Sequence, residues 1–240
     1  ATHPVSRPAP GPASGRAPRT ASGPDRPPED AEITVLDSRA NSQTRVEELR
    51  SRTTVVGYDE EGPGRRFCDY LIDTLPAVTR RSEPNVIAAA VRAPRNRRSR
   101  PPVEFGSIML TFGGEDPAGL TPIVCGALVK KLGLAPERIT AVRGPSAKRF
   151  NLAEGITLLE NPECLREMLH GYDLVITSFG LTAYEALAAG VPVLVVNPTN
   201  YHKKLSKIEG FEHAGVRRVR TGKLRRLLRN PAVLARSCEA

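Results

Sequence analysis

Residues 172–197, YDLVITSFGLTAYEALAAGVPVLVVN, have the pattern of a strand, a tight turn, a helix and a second strand. The first strand is the apolar, β-branched run 173–177, which is typical of a buried parallel strand. The turn covers 178–180, and an Ala- and Leu-rich helix follows over 181–189. The second strand is the apolar run 193–196. This order predicts one β-α-β unit of a parallel sheet.

The turn of this unit contains Gly180, between the end of a strand and the start of a helix. A glycine there lets the backbone bend sharply or approach another group closely. The first N–H groups of the helix and its positive dipole end then point to one place, which suits a phosphate. We therefore predict an anion site at this turn.

Residues 178–196, SFGLTAYEALAAGVPVLVV, resemble the nucleotide-binding turn and helix of GT-B-fold enzymes that use UDP-sugars. The resemblance is strongest to the UDP-sugar hydrolase of pseudaminic acid biosynthesis and related spore-coat polysaccharide proteins. The segment resembles the N-acetylglucosaminyltransferase of peptidoglycan synthesis more distantly. The resemblance implies that Gly180, Leu181 and Thr182 lie at the diphosphate and that Glu185 hydrogen-bonds the ribose hydroxyls.

A second interpretation of two of these residues needs no ligand. Thr182 and Glu185 have the S/T-x-x-E spacing of a capping box, in which the two side chains satisfy the first N–H groups of a helix. The spacing alone does not separate the two interpretations, which are compatible for Thr182.

Outward from this unit, residues 103–240 alternate between short apolar runs and helical segments of about ten residues. This alternation predicts a Rossmann-like parallel sheet covered on both faces. Further strands are expected at 107–112, 139–142, 156–159 and 216–219. Helix starts are expected at Asp116–Pro117, at Asn161–Pro162, at Thr199 or Asn200 with an end near His213, and at 221–229.

Glycine- or asparagine-rich turns follow four of these strands, and the carboxyl ends of parallel strands meet at one edge, where ligands bind. The segment FGGEDP, with Gly113 and Gly114, resembles the "FGGSDP" turn of the family, which approaches the nucleotide. Two glycines let N–H groups face an anion, although Gly-Gly before Asp-Pro is also an ordinary loop and helix start. Glu115 departs from the family pattern, because a carboxylate would repel a diphosphate unless it points away.

The segment NPTNYHKKLSKIEGF matches the family region that faces the sugar. This makes Asn200 a candidate, and His202, Lys203 and Lys204 candidates for contacts with phosphate or sugar. The alternative is an ordinary helix with its lysines in solvent and Leu205, Ile208 and Phe211 buried. The predicted substrate-binding residues are Gly113, Gly114, Ser178, Gly180, Leu181, Thr182, Glu185, Asn200 and His202. No catalytic residue is assigned.

Residues 32–91 predict part of a second α/β domain, with strands at 33–37, 53–58 and 68–73 and a helix near 41–52. This order loosely resembles the second half of the family's N-terminal domain. In the family that domain begins with a loop of the form G-x-G-H-x-x-R, thought to carry the catalytic histidine in the hydrolases. None of the four histidines of this chain stands in such a loop.

Three acidic residues, Asp59, Glu60 and Glu61, follow the second strand and are interpreted as solvated charges of a turn. Cys68, Cys125, Cys164 and Cys238 form no C-x-x-C pair and have no histidine at metal-ligand spacing, which favours reduced thiols and no zinc site. Cys68 and Cys125 lie in apolar contexts and are expected in the core. The chain also shows no secretory signal, so we expect a cytoplasmic protein.

The formal charge of +9 raises the question of a nucleic-acid partner. Arginine is scattered with Ala and Pro, and aromatic residues make up only 5% of the chain, so platforms for stacking bases are scarce. We expect no nucleic-acid partner. The alternatives are an ordinary solvated basic surface, or attraction to anionic nucleotides and lipids with peripheral contact to an anionic membrane.

The sequence thus predicts an α/β protein of GT-B type. Residues 1–31 are expected to be a disordered Pro/Arg-rich tail, 32–91 a partial domain, 92–102 a basic linker and 103–240 the nucleotide-sugar-binding domain. The predicted function is hydrolysis or glycosyl transfer on a UDP-sugar in surface-polysaccharide or nonulosonate biosynthesis, without a metal or other cofactor. The alternative is a nucleotide-sugar-binding protein that lacks the chemistry.

Overall fold

The computed structural model of the chain describes residues 31–37, 40–74, 86–88, 94–100 and 102–235. The predicted tail lies outside this range apart from Ala31, as do Cys238 and parts of the predicted linker. The described chain forms two parallel sheets, one of four strands and one of six. The predicted α/β class is confirmed.

The small sheet has the order β1-β2-β3-β4, and all its pairs are parallel. Its strands are β1 (Ile33–Leu36), β2 (Thr54–Tyr58), β3 (Tyr70–Asp73) and β4 (Val86–Ala88). Helix α1 (Gln43–Arg50) begins after the N-cap Ser42 and buries Val46 against the sheet. The three-residue strand β4 and a 3₁₀ turn at Pro63–Phe67 were not predicted, because both are too short to show a hydrophobic period.

The acidic turn after β2 is an ordered part of the small sheet. Glu60 is completely buried, and its carboxylate accepts hydrogen bonds from the main-chain N–H groups of Asn41 (3.0 Å) and Gly62 (2.7 Å). The Asp59 carboxylate accepts from Thr74 N and Thr74 Oγ1, both at 2.7 Å. The interpretation of these acids as solvated is therefore wrong for Glu60 and holds only for the exposed Glu61. Main-chain donors satisfy the buried carboxylate, and the sequence does not show them.

The large sheet has the order β10-β9-β8-β5-β6-β7, again with parallel pairs only. Its strands are β5 (Ile108–Thr111), β6 (Ile139–Arg143), β7 (Thr157–Glu160), β8 (Leu174–Thr177), β9 (Val193–Asn197) and β10 (His213–Val216). From β5 the chain moves outward to β6 and β7, and it then returns to the other side of β5 with β8. The strand order therefore reverses between β5 and β8.

Helices cover both faces of the large sheet. They are α2 (Leu120–Gly126), α3 (Leu165–Met168), α4 (Leu181–Ala188), α5 (Asn200–Ile208), α6 (Thr221–Leu228) and α7 (Pro231–Ala235). Leu120, Leu224 and Leu234 pack on the face formed by alternate strand residues such as Ile108 and Ile176. Residues of α4 and α5 pack on the opposite face with Met109 and Val175. Strands buried on both sides explain the nearly continuous apolar runs.

Two predicted helix starts are wrong in position. The helix after β5 begins at Leu120 instead of Pro117, although the Asp116 carboxylate still caps it by accepting from Leu120 N (2.7 Å) and Thr121 N (2.8 Å). The helix after β7 begins at Leu165 instead of after Asn161–Pro162. Asp116 and Asn161 both adopt positive φ angles of about 40°, so each forms a turn that delays its helix.

The segment after β9 also differs from the expectation. Helix α5 ends at Ile208 instead of His213, and the last strand lies at 213–216 instead of 216–219. Gly210, with φ of +75°, turns the chain and places Phe211 in the core. Ile208 remains 62% exposed and is not part of the buried face of α5.

The described part of the basic linker packs on the large sheet's domain. Arg98 N donates to Ala189 O (2.8 Å), and the Arg98 guanidinium donates to Tyr172 O (2.7 Å) and to the Asp173 carboxylate (2.5 Å). This segment is therefore fixed against the start of β8 and the end of α4.

Within the described ranges, no helix is long and apolar enough to cross a bilayer. No three His, Cys, Asp or Glu side chains of the described residues come close enough together to hold a metal ion. Cys125 is buried in the core, as expected, and burial raises its thiol pKa to about 12. Cys68 is half-buried against the small core, and burial raises its thiol pKa to about 11.

Candidate functional site

A cleft of about 430 Å³ opens at the carboxyl edge of the large sheet, where the turns after β5, β8 and β9 meet. Its position matches the reversal of strand order between β5 and β8, where open parallel sheets bind ligands. The lining residues are Phe112, Gly114, Glu115, Asp116, Pro117, Leu120, Ser178, Phe179, Pro198, Thr199 and His202.

The turn after β6 holds the Gly113–Gly114 turn in place. A β-carbon at Gly144 would lie 2.5 Å from both Cα and O of Gly114, so only glycine fits at this contact. Ser146 N donates to Gly114 O (3.0 Å). Gly113 itself has a φ of +81°. Both glycines are exposed, and Gly114 lines the cleft while the turn after β6 holds its backbone from the other side.

The turn after β8 leads directly into helix α4. Gly180 is the N-cap residue in an extended conformation (φ 167°), and no side chain caps the helix. Helix α4 begins at Leu181, so Thr182 lies inside the helix and the capping box with Glu185 does not form. The capping interpretation is therefore wrong. Ala183 N donates to Gly180 O (3.0 Å). The two N–H groups before it, of Leu181 and Thr182, precede the first i→i−4 bond of the helix, which makes this helix start suitable for an anion.

Asn197 at the end of β9 fixes this turn from inside the fold. Its side-chain oxygen accepts from Phe179 N (3.1 Å), and its side-chain nitrogen donates to Ser206 Oγ (3.1 Å) on α5. Asn197 and Ser206 are completely buried. A buried amide with both ends satisfied holds the turn after β8 and helix α5 in one geometry.

An aromatic cluster supports the same turn. Phe179, Tyr184 and Phe211 meet edge to face, with ring centroids 5.4–5.8 Å apart. Tyr184 Oη donates to the Glu209 carboxylate (3.0 Å), and burial together with that carboxylate raises the pKa of Tyr184. Tyr184 therefore stays neutral and keeps donating its hydrogen bond to Glu209. The cluster packs α4 against the end of α5.

Helix α5 contributes His202 to the cleft. Thr199 caps the helix by accepting from His202 N (3.3 Å), and Thr199 Oγ1 lies 2.7 Å from His202 Nδ1. This pair of contacts orients the imidazole at the cleft wall. Asn200 does not line this cleft and faces a separate cavity with Lys203.

Glu185 lies on α4 beyond the cleft lining, toward α3. It is half-buried, and burial raises the pKa of its carboxyl group while Arg166 of α3 opposes the shift. Among the described residues, no group donates a hydrogen bond to its carboxylate. A half-buried carboxylate that accepts no hydrogen bond from the chain can accept hydrogen bonds from the hydroxyl groups of a ligand.

The structure thus brings Gly114, Ser178 and His202 together in one cleft. Gly113, Gly180 and Leu181 are chain neighbours of these lining residues. Thr182, Glu185 and Asn200 do not line it. Glu115 is exposed at the rim, between this cleft and a neighbouring cavity of about 690 Å³.

No protein-family model matches the chain. Over 123 residues it is 32% identical to the uncharacterized protein MJ1062 of Methanocaldococcus jannaschii, a match that covers 43% of this chain and 25% of that protein. The chain thus spans about a quarter of the length of this relative.

The solved structures that resemble the chain include the following three. The GtfA/B complex gives a TM-score of 0.55 at 12% identity, covering 86% of this chain and 52% of that one. Spinosyn rhamnosyltransferase SpnG, complexed with thymidine diphosphate, gives 0.52 at 13%, covering 87% and 67%. UGT89C1 of Arabidopsis thaliana, complexed with UDP-L-rhamnose, gives 0.52 at 12%, covering 82% and 63%. The chain has a GT-B-like fold.

In this GT-B-like chain, Asn197 positions the site. From the sequence it is predicted only as the start of a turn. The informative signal is a polar residue that ends an otherwise apolar strand, at the edge where ligands bind. Its two partners lie 18 and 9 residues away, and no local pattern connects them.

Proposed function

We propose that the chain binds a nucleotide-activated sugar, with UDP as the nucleotide, in the cleft between β5 and β8. The observation that carries the proposal is the meeting, at the reversal of strand order, of an exposed Gly113–Gly114 turn and the uncapped N-terminus of α4. Gly114 lines one side of the cleft, and Ser178 and Phe179, which directly precede the N-cap Gly180 of α4, line the other. The N–H groups of a glycine turn and of a helix start are the main-chain donors that suit a diphosphate. SpnG and UGT89C1, which share the fold, were solved with thymidine diphosphate and UDP-L-rhamnose.

We propose further that the protein to which this chain belongs acts at the anomeric carbon of that sugar, by hydrolysis or by glycosyl transfer, in surface-polysaccharide or nonulosonate biosynthesis. In either reaction the anomeric C–O bond to the diphosphate breaks, and negative charge grows on the leaving nucleotide. Fixed N–H groups and the helix dipole at the cleft would stabilise that charge without a metal ion. The resemblance of residues 178–196 to UDP-sugar hydrolases and the shared fold support this proposal.

A second candidate is a binding protein without turnover. This candidate requires only the cleft, in which no catalytic residue is assigned. The proposed binding site is the same in both cases.

Calorimetric titration with UDP tests the proposed binding, with thymidine diphosphate as the comparison for the base. We expect saturable binding of UDP that persists at high salt. Release of UDP from UDP-N-acetyl sugars then separates the enzyme from the binding protein. If the binding heat instead falls steeply with added salt and is the same for all nucleotides, the interaction is a non-specific attraction to a basic surface.

Acidification is expected to weaken binding of a UDP-sugar through Glu185. Burial raises the pKa of this carboxyl group above its usual 4.5, so it takes up its proton at a higher pH than an exposed glutamate. Above its pKa the carboxylate accepts from the ribose hydroxyls, and below it this charged acceptor is lost. A UDP-sugar is the suitable probe, because its diphosphate diester does not titrate in this range.

The matched variant is Glu185→Gln, which keeps the shape and removes the charge. We expect affinity about 10-fold lower at neutral pH, since a hydrogen bond to a charged group contributes about 1.5–3 kcal/mol, and a flatter pH profile. The measurement is the dissociation constant across the acidic range for both proteins. Identical profiles would show that Glu185 does not contact the nucleotide.

A further inference from the structure

Beside the cleft, on the other side of the first turn of α5, lies a separate cavity of about 330 Å³. Its lining residues are Asn200, Lys203, His213, Gly215, Val216, Arg218 and Arg220. The volume is at the lower end of the range of about 300–1,000 Å³ for small-molecule sites. None of the lining residues is acidic, whereas three carry fixed positive charges.

These three cations have no acidic partner in the described structure. The neighbouring Lys223 pairs with Glu212 (3.1 Å), but no ion pair forms at Lys203, Arg218 or Arg220. Three like charges around one cavity repel each other, which costs free energy unless an anion compensates them.

The backbone that carries the two arginines is a tight, hydrogen-bonded turn. At Gly215 (φ 155°) a β-carbon would lie 1.9 Å from Arg218 O, so the turn requires glycine. Arg220 N donates to Ala214 O (2.7 Å), and Arg217 N donates to Asn197 O (2.9 Å). The turn after β10 is thus closed on itself and attached to the end of β9.

The cavity and the cleft share one edge of the sheet. Val216 of β10 pairs with Asn197 of β9, and each residue lies at the carboxyl end of its strand. On α5, His202 faces the cleft, while Asn200 and Lys203 face the cavity. The first turn of α5 therefore lies between the two sites.

We propose that this cavity is a second anion site, which binds a phosphate group through Lys203, Arg218 and Arg220. The ligand is either a free phosphorylated molecule or the phosphate headgroup of a lipid. This site is distinct from the proposed diphosphate site and does not rest on the proposed nucleotide function.

The two histidines allow each site to be followed separately by NMR, since His213 lines the cavity and His202 lines the cleft. Burial, and then Lys223, Lys203 and Lys207, lower the pKa of His213, while Glu212 opposes them. A bound phosphate supplies the opposite charge, so titration with inorganic pyrophosphate should shift the His213 resonances saturably and raise the His213 pKa. UDP should shift the His202 resonances. His213 therefore tests the second anion site and His202 tests the nucleotide site, and either proposal can fail without the other.

The test variant is Arg218→Gln with Arg220→Gln, and the matched control is Arg226→Gln with Arg229→Gln. All four arginines are exposed, and both double variants remove two charges. We expect pyrophosphate affinity at His213 to fall at least about 10-fold in the cavity variant and to stay within about 2-fold in the control. Equal losses in the two variants, or no response of His213 in the unaltered chain, would overturn the proposal.

Vesicles identify the source of the phosphate. A lipid headgroup is assigned if the chain binds phosphatidic acid vesicles but not phosphatidylcholine vesicles. That binding must be lost in the cavity variant and kept in the control variant. Pyrophosphate binding at His213 without vesicle binding assigns a free phosphorylated ligand. Vesicle binding that both double variants lose equally, with His213 unresponsive to pyrophosphate, contradicts the site.

Discussion

Gly180→Asp is expected to abolish UDP binding and to leave the fold intact. Gly180 has an extended backbone, and a β-carbon added there would meet no atom within 4 Å. The aspartate would reach the first N–H groups of α4, where a diphosphate is proposed to bind. Two like charges about 4 Å apart near a protein surface repel by about 4 kcal/mol, which corresponds to a loss of about 1,000-fold in affinity.

The same substitution should stabilise α4, because aspartate is a favourable N-cap residue and the native N-cap has no capping side chain. Stability and binding are thus expected to change in opposite directions. Calorimetry with UDP and thermal unfolding measure the two effects. A destabilised variant would instead indicate damage to the turn.

The control is Gly180→Asn, which has the same shape, also caps the helix and carries no charge. The difference in affinity between the two variants isolates the charge repulsion. If Gly180→Asp binds UDP as tightly as the unaltered chain, the diphosphate does not lie at the start of α4.

Arg65→Met is expected to destabilise the small sheet by about 3–5 kcal/mol. Arg65 and Asp73 form a two-pronged ion pair with both N···O distances at 2.8 Å, and their side chains are only 2% and 0% exposed. Arg65 also donates to Glu60 O (2.8 Å). Removing the guanidinium takes this two-pronged ion pair away from a carboxylate that is completely buried, which is the costly change.

Arg50→Met is the matched control in the same sheet. The Arg50–Asp69 pair is at 2.7 Å, but its side chains are 53% and 23% exposed, so its loss should cost no more than about 1 kcal/mol. Hydrogen exchange of the β2 and β3 amides measures both effects locally. Equal protection in the two variants would show that burial does not determine the contribution of the pair.

The elements of the large sheet were predictable because each pattern is local. Strands β5, β6, β8 and β9 are apolar runs buried on both faces, and such runs stand out in the sequence. The errors fall where single residues adopt positive φ angles, as at Asp116 and Asn161, and delay the next helix. Side-chain identity alone does not fix that backbone conformation.

The sequence by itself determined the β/α alternation, the glycine turns after β5 and β8 and, through the resemblance, the GT-B fold. Hydrophobic periodicity and the conformational freedom of glycine act over a few residues, so both can be recognised in the sequence. Only the tertiary structure showed that β5 and β8 are neighbours, that Asn197 bonds both the turn after β8 and α5, and that Glu60 is buried. It also showed that Lys203, Arg218 and Arg220 share a cavity. These facts depend on contacts between distant segments, and they exist only when strand order and crossover direction are fixed.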